Sequence, residues 1–360
     1  MKIAGIICEL NPAHNGHKYI FEQARKVTGA DYVVAVMSGD YVQRGEPALV
    51  DKHTRTKMAL CLGADAVFEL PTMWATGSAQ YFARGAVSLL SAIGASTIVF
   101  GSECGDIDLL SSLEFTTPND VLGSEYIKAI KHLSLDIKPY AITRIGTGYN
   151  DSSTISGSIC SASYIREHLS GAGIDSLAAV MPDDVRLLLR EEILNSRTVS
   201  PDDISSQLYY KLNQESTNGF DQYFDVYSDL SDKLIKNLNQ FTTVTKFAHV
   251  IKSKDIAFSH IKRAFLHILL GITNDDVNAA ISRDYLTYIR LLGFKKSSSI
   301  LSEIKKTSTA PIISKLADAH NILDDFEMQV LTQDIASSHL YSMLSKGLVI
   351  SEYSRPIIIQ

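Results

Sequence analysis

Hydrophobic and polar positions follow two different rhythms along the chain. In the first half, short β-type runs at Ile3–Cys8, Tyr32–Met37, Ala66–Leu70 and Thr97–Phe100 alternate with helical spacing at Gly16–Val27, Thr54–Leu62 and Ser78–Ala92. Strands alternating with helices predict a parallel sheet covered on both faces. Right-handed crossovers would make that layer Rossmann-like. Lys138–Ile142 predicts a late strand and Ser161–Leu169 a helix. The stretch from Tyr149 to Ile159 is rich in Asn, Asp, Ser, Thr and Gly and reads as a long loop, and Ile145–Gly148 reads as a turn.

After about Leu194 the strand signal fades. Helical periodicity is found at Ser205–Leu212, Tyr227–Asn237, Thr243–Lys252, His260–Leu270, Asp275–Ile281 and Ser298–Lys305. The segment Asn195–Asp203 reads as a boundary. The expected fold class is therefore α/β, a Rossmann-like parallel-sheet domain over 1–195, followed by an all-helical C-terminal domain over 196–360.

Composition narrows the class. With 45% hydrophobic and 21% charged residues over 360 positions, the chain can bury a large core without covalent staples. Cys8, Cys61, Cys104 and Cys160 are scattered without CxxC spacing, which indicates reduced thiols and neither zinc nor disulfides. The chain starts directly on a strand-like run rather than a signal peptide. No run approaches the ~20 apolar residues of a membrane span; Ala264–Ile272 is short and holds His267. A cytoplasmic protein without a membrane partner is expected. Net charge is −6, yet Ser231 to Lys306 holds thirteen Lys or Arg and six Asp or Glu, a local balance of +7. Such asymmetry suits a polyanion partner, or a solvated basic helix face.

The chemistry is concentrated where the first strand gives way to a helix: Asn11-Pro12-Ala13-His14-Asn15-Gly16-His17. Ligands bind at the carboxyl ends of strands in open α/β sheets. A helix start offers free N–H groups to phosphate, Gly16 lets a polyanion approach the backbone, and two histidines three apart can face one pocket. They would donate hydrogen bonds to a phosphoryl or nucleotidyl transition state. A lone histidine here would be structural; HxGH in a strand–turn–helix setting favours function. No third metal ligand is evident. A second signature, Cys160-Ser161-Ala162-Ser163-Tyr164-Ile165-Arg166, puts serines at a helix start and an arginine one turn in, which alone fits a capped surface helix and beside HxGH fits a phosphate grip.

HxGH after the first strand, with the distal Ser-x-x-x-Ile-Arg element, resembles the adenylyl- and cytidylyltransferase superfamily. By that resemblance His17 stabilises the α-phosphate transition state, His14 the leaving pyrophosphate, and Arg166 the outer phosphates. A narrower likeness follows. Gly5-Ile6-Ile7-Cys8-Glu9-Leu10-Asn11-Pro12, Met37-Ser38-Gly39-Asp40, Gln43-Arg44-Gly45-Glu46-Pro47-Ala48 and Phe100-Gly101-Ser102-Glu103 resemble the tRNA(Met) cytidine acetate ligases. So do Lys252-Ser253-Lys254, Ile261-Lys262-Arg263, His267–Gly271 and Tyr288–Lys296, and the likeness spans nearly the whole chain. Ala13 departs from the aromatic residue usual there, and Ala257-Phe258-Ser259 from a more basic stretch.

The resemblance implies ATP as substrate, acetate as first acceptor and elongator tRNA(Met) as final acceptor. It places ATP binding in 1–195 and tRNA binding in 196–360. Ile7, Glu9, Asn11, Pro12, Ala13, Asn15, Gly16, Ile20, Gly101, Asn150, Ser161 and Ser163 are expected around the nucleotide. Asp40, Gln43 and Arg44 follow the second strand on the same sheet edge. Arg44 suits acetate or a tRNA phosphate, while Asp40 can equally end the strand in a turn. Lys262, Arg263, Arg290, Lys295 and Lys296 are expected to meet tRNA. Mg2+ would accompany the triphosphate without a dedicated carboxylate cage. Two other readings stay open at this level: a small-molecule adenylyl- or cytidylyltransferase, and an ATP-sensing RNA-binding module. Oligomeric state is open.

Overall fold

The computed structural model describes residues 1–144, 159–169, 173–345 and 350–360. Asn150, the turn at 145–148 and all but the last residue of the expected Tyr149–Ile159 loop lie outside the described residues. In chain order the strands are β1 (Ile3–Cys8), β2 (Tyr32–Ser38), β3 (Tyr41–Val42), β4 (Glu46–Pro47), β5 (Ala66–Leu70), β6 (Thr97–Ser102), β7 (Lys138–Thr143), β8 (Ile289–Phe294), β9 (Ile312–Ile313) and β10 (Ile358–Ile359). The α-helices of the first half are α1 (Asn15–Thr28), α2 (Lys52–Leu62), α3 (Thr72–Ala75), α4 (Ala79–Ala92), α5 (Ile107–Ser112), α6 (Pro118–His132), α7 (Ala162–Leu169) and α8 (Asp183–Leu194). Those of the second are α9 (Ser205–Glu215), α10 (Ser228–Asn237), α11 (Val244–Ile251), α12 (Phe258–Leu270), α13 (Asn274–Ile281), α14 (Ile300–Thr307) and α15 (Asp325–Leu344).

The main sheet runs β10-β8-β5-β2-β1-β6-β7, with β9 beside β8. Its parallel centre, β5-β2-β1-β6-β7, is the Rossmann-like layer expected from the alternation. β1 pairs with β2 from Ile3 opposite Tyr32 to Cys8 opposite Met37, and with β6 on its other side. The order runs outward in one direction from β1 to β5 and in the other from β6 to β7. The crevice above β1 and β6 is thus the topological switch point, where ligands bind in open α/β sheets. Near-continuous burial of β1, β2 and β5 explains their mostly apolar runs, in which Glu69 of β5 is the one charged residue. One core lies between the sheet and α4 and α6, with Trp74, Phe82 and Phe100; another lies under α1, α2 and α8, with Phe21, Met58 and Leu189.

A helical region follows, with its own core of Leu208, Leu230, Phe247 and Phe265. It does not fill the rest of the chain. From residue 289 the backbone returns to the sheet, and β8 pairs antiparallel with β5. The expectation of an all-helical second half is corrected there, because Tyr288–Phe294 is a continuous apolar run broken only by Arg290. β9 and β10 then extend the same edge, each parallel to β8. Among the described residues no helix is long and apolar enough to cross a membrane.

Candidate active site

The start of α1 is built from the histidines themselves. His14 is the N-cap: its Nδ1 accepts from the Gly16 N–H at 3.1 Å, while the His14 N–H donates to Nδ1 of His17 at 3.2 Å. This is a capping box with imidazoles in both roles. The rings lie 3.9 Å apart, centre to centre. A Cβ on Gly16 would come within 2.9 Å of the His14 ring, so a bare backbone is needed there.

Burial, followed by the neighbouring His17 and Arg144, holds His14 well below the ordinary imidazole value; burial and Arg144 hold His17 down at about 3. Both rings are therefore neutral near pH 7. With each Nδ1 accepting a backbone N–H, the remaining proton sits on Nε2. Two neutral Nε2–H donors thus belong to one cavity, since both residues line it.

That cavity measures about 290 Å³ and sits at the switch point. Its floor includes Ile7, Cys8 and Glu9 of the β1 end, and its walls include Ile20, Gly101 and Arg144. Ser161, Ser163 and Arg166 close it from α7. Ser161 Oγ caps α7 by accepting from the Tyr164 N–H at 3.1 Å. Arg166 donates to the Asn11 carbonyl at 2.6 Å and to Ser163 Oγ at 3.3 Å, and lies 3.7 Å from Glu46. Glu9 accepts from the Gln43 N–H at 2.8 Å, and burial pushes its carboxyl up. Burial pushes the Cys8 thiol up to about 12, so it stays protonated and is no nucleophile.

The structure gathers Ile7, Glu9, Asn11, His14, Gly16, His17, Ile20, Gln43, Arg44, Gly101, Ser161, Ser163 and Arg166 around this one cavity. Others fall elsewhere. Pro12 and Ala13 are outside the lining, Ala13 being buried in the core. Asn15 bonds the Ala179 carbonyl at 3.0 Å and ties α1 to the segment before α8. Asp40 is corrected from substrate contact to turn residue: its carboxylate accepts the Lys52 N–H at 2.8 Å inside the core. Arg290 is buried between Glu69 at 2.9 Å and Glu352 at 2.6 Å, because a desolvated cation in a strand needs carboxylates. It has no surface to offer RNA. Lys295 and Lys296 follow the end of β8, which runs against β5; the Lys295 N–H bonds the Asp65 carbonyl at 2.9 Å. They therefore sit on the sheet edge opposite the cavity. Lys262 pairs with Glu46 at 2.8 Å and Arg263 with Asp225 at 3.2 Å, both mostly buried.

Sequence reasoning missed Arg144, Asn119, Pro118 and Leu122, which also line the cavity. Arg144 immediately follows β7, on the same carboxyl edge as His14, and that placement was the available signal. Glu103 holds it at 3.4 Å and accepts from Asn119 at 2.6 Å. Among the described residues, no group of three or more His, Cys, Asp or Glu is placed to hold a metal ion.

Comparison with known proteins places the chain in a family. The family model described as HIGH Nucleotidyl Transferase matches residues 1–115 and 110–354. The tRNA(Met) cytidine acetate ligase of Clostridium perfringens is 32% identical, over 98% of this chain and 97% of that protein. The protein of the same name from Leuconostoc citreum is 37% identical, over 93% and 94%. The crystal structure of Thermotoga maritima TmcAL bound with alpha-thio ATP matches with a TM-score of 0.91 at 26% identity, covering 100% of this chain and 99% of that one.

Proposed function

The chain belongs to the tRNA(Met) cytidine acetate ligase family, and from that premise we propose that it activates acetate with ATP and transfers the acetyl group to N4 of the wobble cytidine of elongator tRNA(Met). The observation that carries the chemistry is the pair of tautomer-locked Nε2–H donors at the start of α1, lining one cavity with Arg166 and Arg144.

In the first step an acetate oxygen attacks the α-phosphorus of ATP. A new P–O bond forms, the bond to the bridging oxygen breaks, and pyrophosphate leaves. Charge builds on the α-phosphate oxygens and on the leaving group. His17 is proposed to donate to the former and His14 to the latter, as preorganised donors. Arg166 would release Glu46 and clamp the outer phosphates. The adenosine is proposed to lie along Ile7, Ile20 and the Gly101 backbone. Mg2+ would accompany the triphosphate through phosphate oxygens and water.

In the second step N4 of cytidine attacks the acetyl carbonyl, AMP leaves, and N4 loses a proton. Gln43 and Arg44 are proposed to face the acceptor. The protonated Cys8 thiol argues against an acetyl-thioester on the way. The test is mass spectrometry of the nucleosides of elongator tRNA(Met) after incubation with enzyme, ATP and acetate, beside acetate-dependent exchange of labelled pyrophosphate into ATP. N4-acetylcytidine and exchange are expected; the absence of both overturns the proposal.

A further inference from the structure

The five basic residues first expected to meet RNA are ion-paired or lie on the far edge of the sheet, so the RNA-facing surface must be sought elsewhere. The route out of the cavity shows where. Gln43 and Arg44 line it, and the next residue, Gly45, turns with φ 73° against α12. A Cβ on Gly45 would come within 2.3 Å of the Arg263 backbone. Together with the Glu46–Lys262 pair at 2.8 Å, this contact joins the start of α12 to the cavity rim.

The surface around that junction has a particular chemistry. Residues 243–263 carry five Lys or Arg and one acidic residue, Asp255. Lys246, His249, Lys252 and Lys254 are exposed. Aromatic rings lie between the charges: Phe258 is 4.6 Å from the His249 ring and 5.4 Å from the Lys262 ammonium. Tyr227, at the N-cap of α10, is 67% exposed and stands edge-on to His260 at 5.9 Å. His260 is fixed by the Asp225 carbonyl at 2.7 Å, the residue whose carboxylate holds Arg263. Asp229, two residues beyond Tyr227, is also exposed and disfavours a phosphate at that spot. An exposed ring next to a carboxylate, packed on the α12 start that the lysine-bearing segment 252–254 leads into, suits an unstacked base whose phosphates run towards those lysines.

We propose that the face formed by Tyr227, His260, Lys252 and Lys254 binds unpaired RNA, the anticodon loop of the acceptor, with Tyr227 stacking on a base and the lysines taking phosphates. This rests on the tRNA-acylating function proposed above and deepens it. A fully paired RNA has no free base for Tyr227, so the face discriminates loops from duplex.

Fluorescence anisotropy with a labelled anticodon stem-loop, across a salt series, tests it on the full-length enzyme. Tyr227→Ala is expected to weaken stem-loop binding roughly tenfold, and Tyr227→Trp to stay within about twofold, since stacking needs only an aromatic face. Lys252→Ala with Lys254→Ala is expected to lower the slope of log Kd against log salt by about 1.4, two single-strand phosphate contacts. The charge-matched pair Lys305→Ala with Lys306→Ala, on α14, should leave that slope unchanged. A paired RNA of equal length should bind wild type and Tyr227→Ala alike. Stem-loop affinity unchanged in Tyr227→Ala, or equal slopes for the two lysine pairs, overturns the proposal. So does a wild-type enzyme that exchanges pyrophosphate but does not bind the stem-loop. Absence of that exchange in the wild type instead fails the underlying function.

Discussion

The cavity above β1 and β6 and the charge cluster behind β5 and β8 are built from the same residue types. In the cavity, Arg166 leans on a backbone carbonyl and a serine, with its nearest carboxylate 3.7 Å away. Behind β5, the Lys52 ammonium is fully buried, 2.7 Å from Glu69, 3.0 Å from Glu352 and 3.9 Å from Asp40, and bonds Ser338 at 2.8 Å. Arg290 closes the cluster against the same two glutamates. Burial pushes the Glu352 carboxyl up, but Lys52, His53 and Arg290 hold it well below the usual carboxylate range. A cation already neutralised by desolvated carboxylates is part of the architecture. A cation resting on neutral oxygens beside a cavity is ready for a polyanion.

Breaking the buried cluster should have the largest effect. Lys52→Met leaves Glu69 and Glu352 with one cation between them and is expected to cost about 3–5 kcal/mol of stability, read as a lower denaturant midpoint. Retention of wild-type stability would erase the distinction between the two regions. On the cavity side, His17→Ala is expected to slow acetate-dependent pyrophosphate exchange by about 10²–10³, the usual loss for one transition-state donor. Its melting temperature should fall far less than that of Lys52→Met. Next comes Arg166→Ala, which should weaken ATP binding by about 1.5–3 kcal/mol in calorimetry, the worth of hydrogen bonds to a charged group. An unchanged ATP Kd would move Arg166 into the architectural class.

A separate contrast lies in pH dependence. His17 is held down at about 3 in the folded protein. Its unfolded form titrates near 6.5. Between those values the unfolded chain binds the extra proton, so stability contributed by neutral His17 is present above about 6.5 and is lost as pH falls towards 3. His17→Gln should flatten that part of the stability curve relative to wild type. Parallel curves would show that the ring is not held neutral.

Legibility in the sequence followed the same division. Most of the parallel strands were readable from their apolar runs, and α1 and α4 because their apolar positions recur at helical spacing. β8 was hidden because Arg290 reads as a surface charge, although its partners Glu69 and Glu352 are distant in sequence. α15 was hidden because part of its buried face is polar: Asp334, Ser337 and Ser338 are buried in it, serving Thr72, Tyr41 and Lys52. α6 was missed because Gly123 interrupts its apolar pattern, yet that glycine is where the Phe100 ring packs against the helix. Of the site, the HxGH turn and the Ser161–Arg166 element were legible because each is contiguous. Arg144 was not, since only the sheet brings the end of β7 beside His14 and His17. Asp40 could be read either way, because the end of a strand looks the same in sequence whether its side chain meets a ligand or the Lys52 amide.

The return of β8 and β10 to the sheet also bears on how the molecule is made. A chain emerging from the ribosome completes β1, β2 and β5 early, but the outer edge of β5 stays bare until residues 289–294 arrive. Glu69 likewise waits for Arg290, and Lys52 for its second glutamate, Glu352. Until then the nascent protein carries an open sheet edge, a state that invites pairing with other chains. Truncations that remove the last strands should yield aggregates rather than a smaller enzyme.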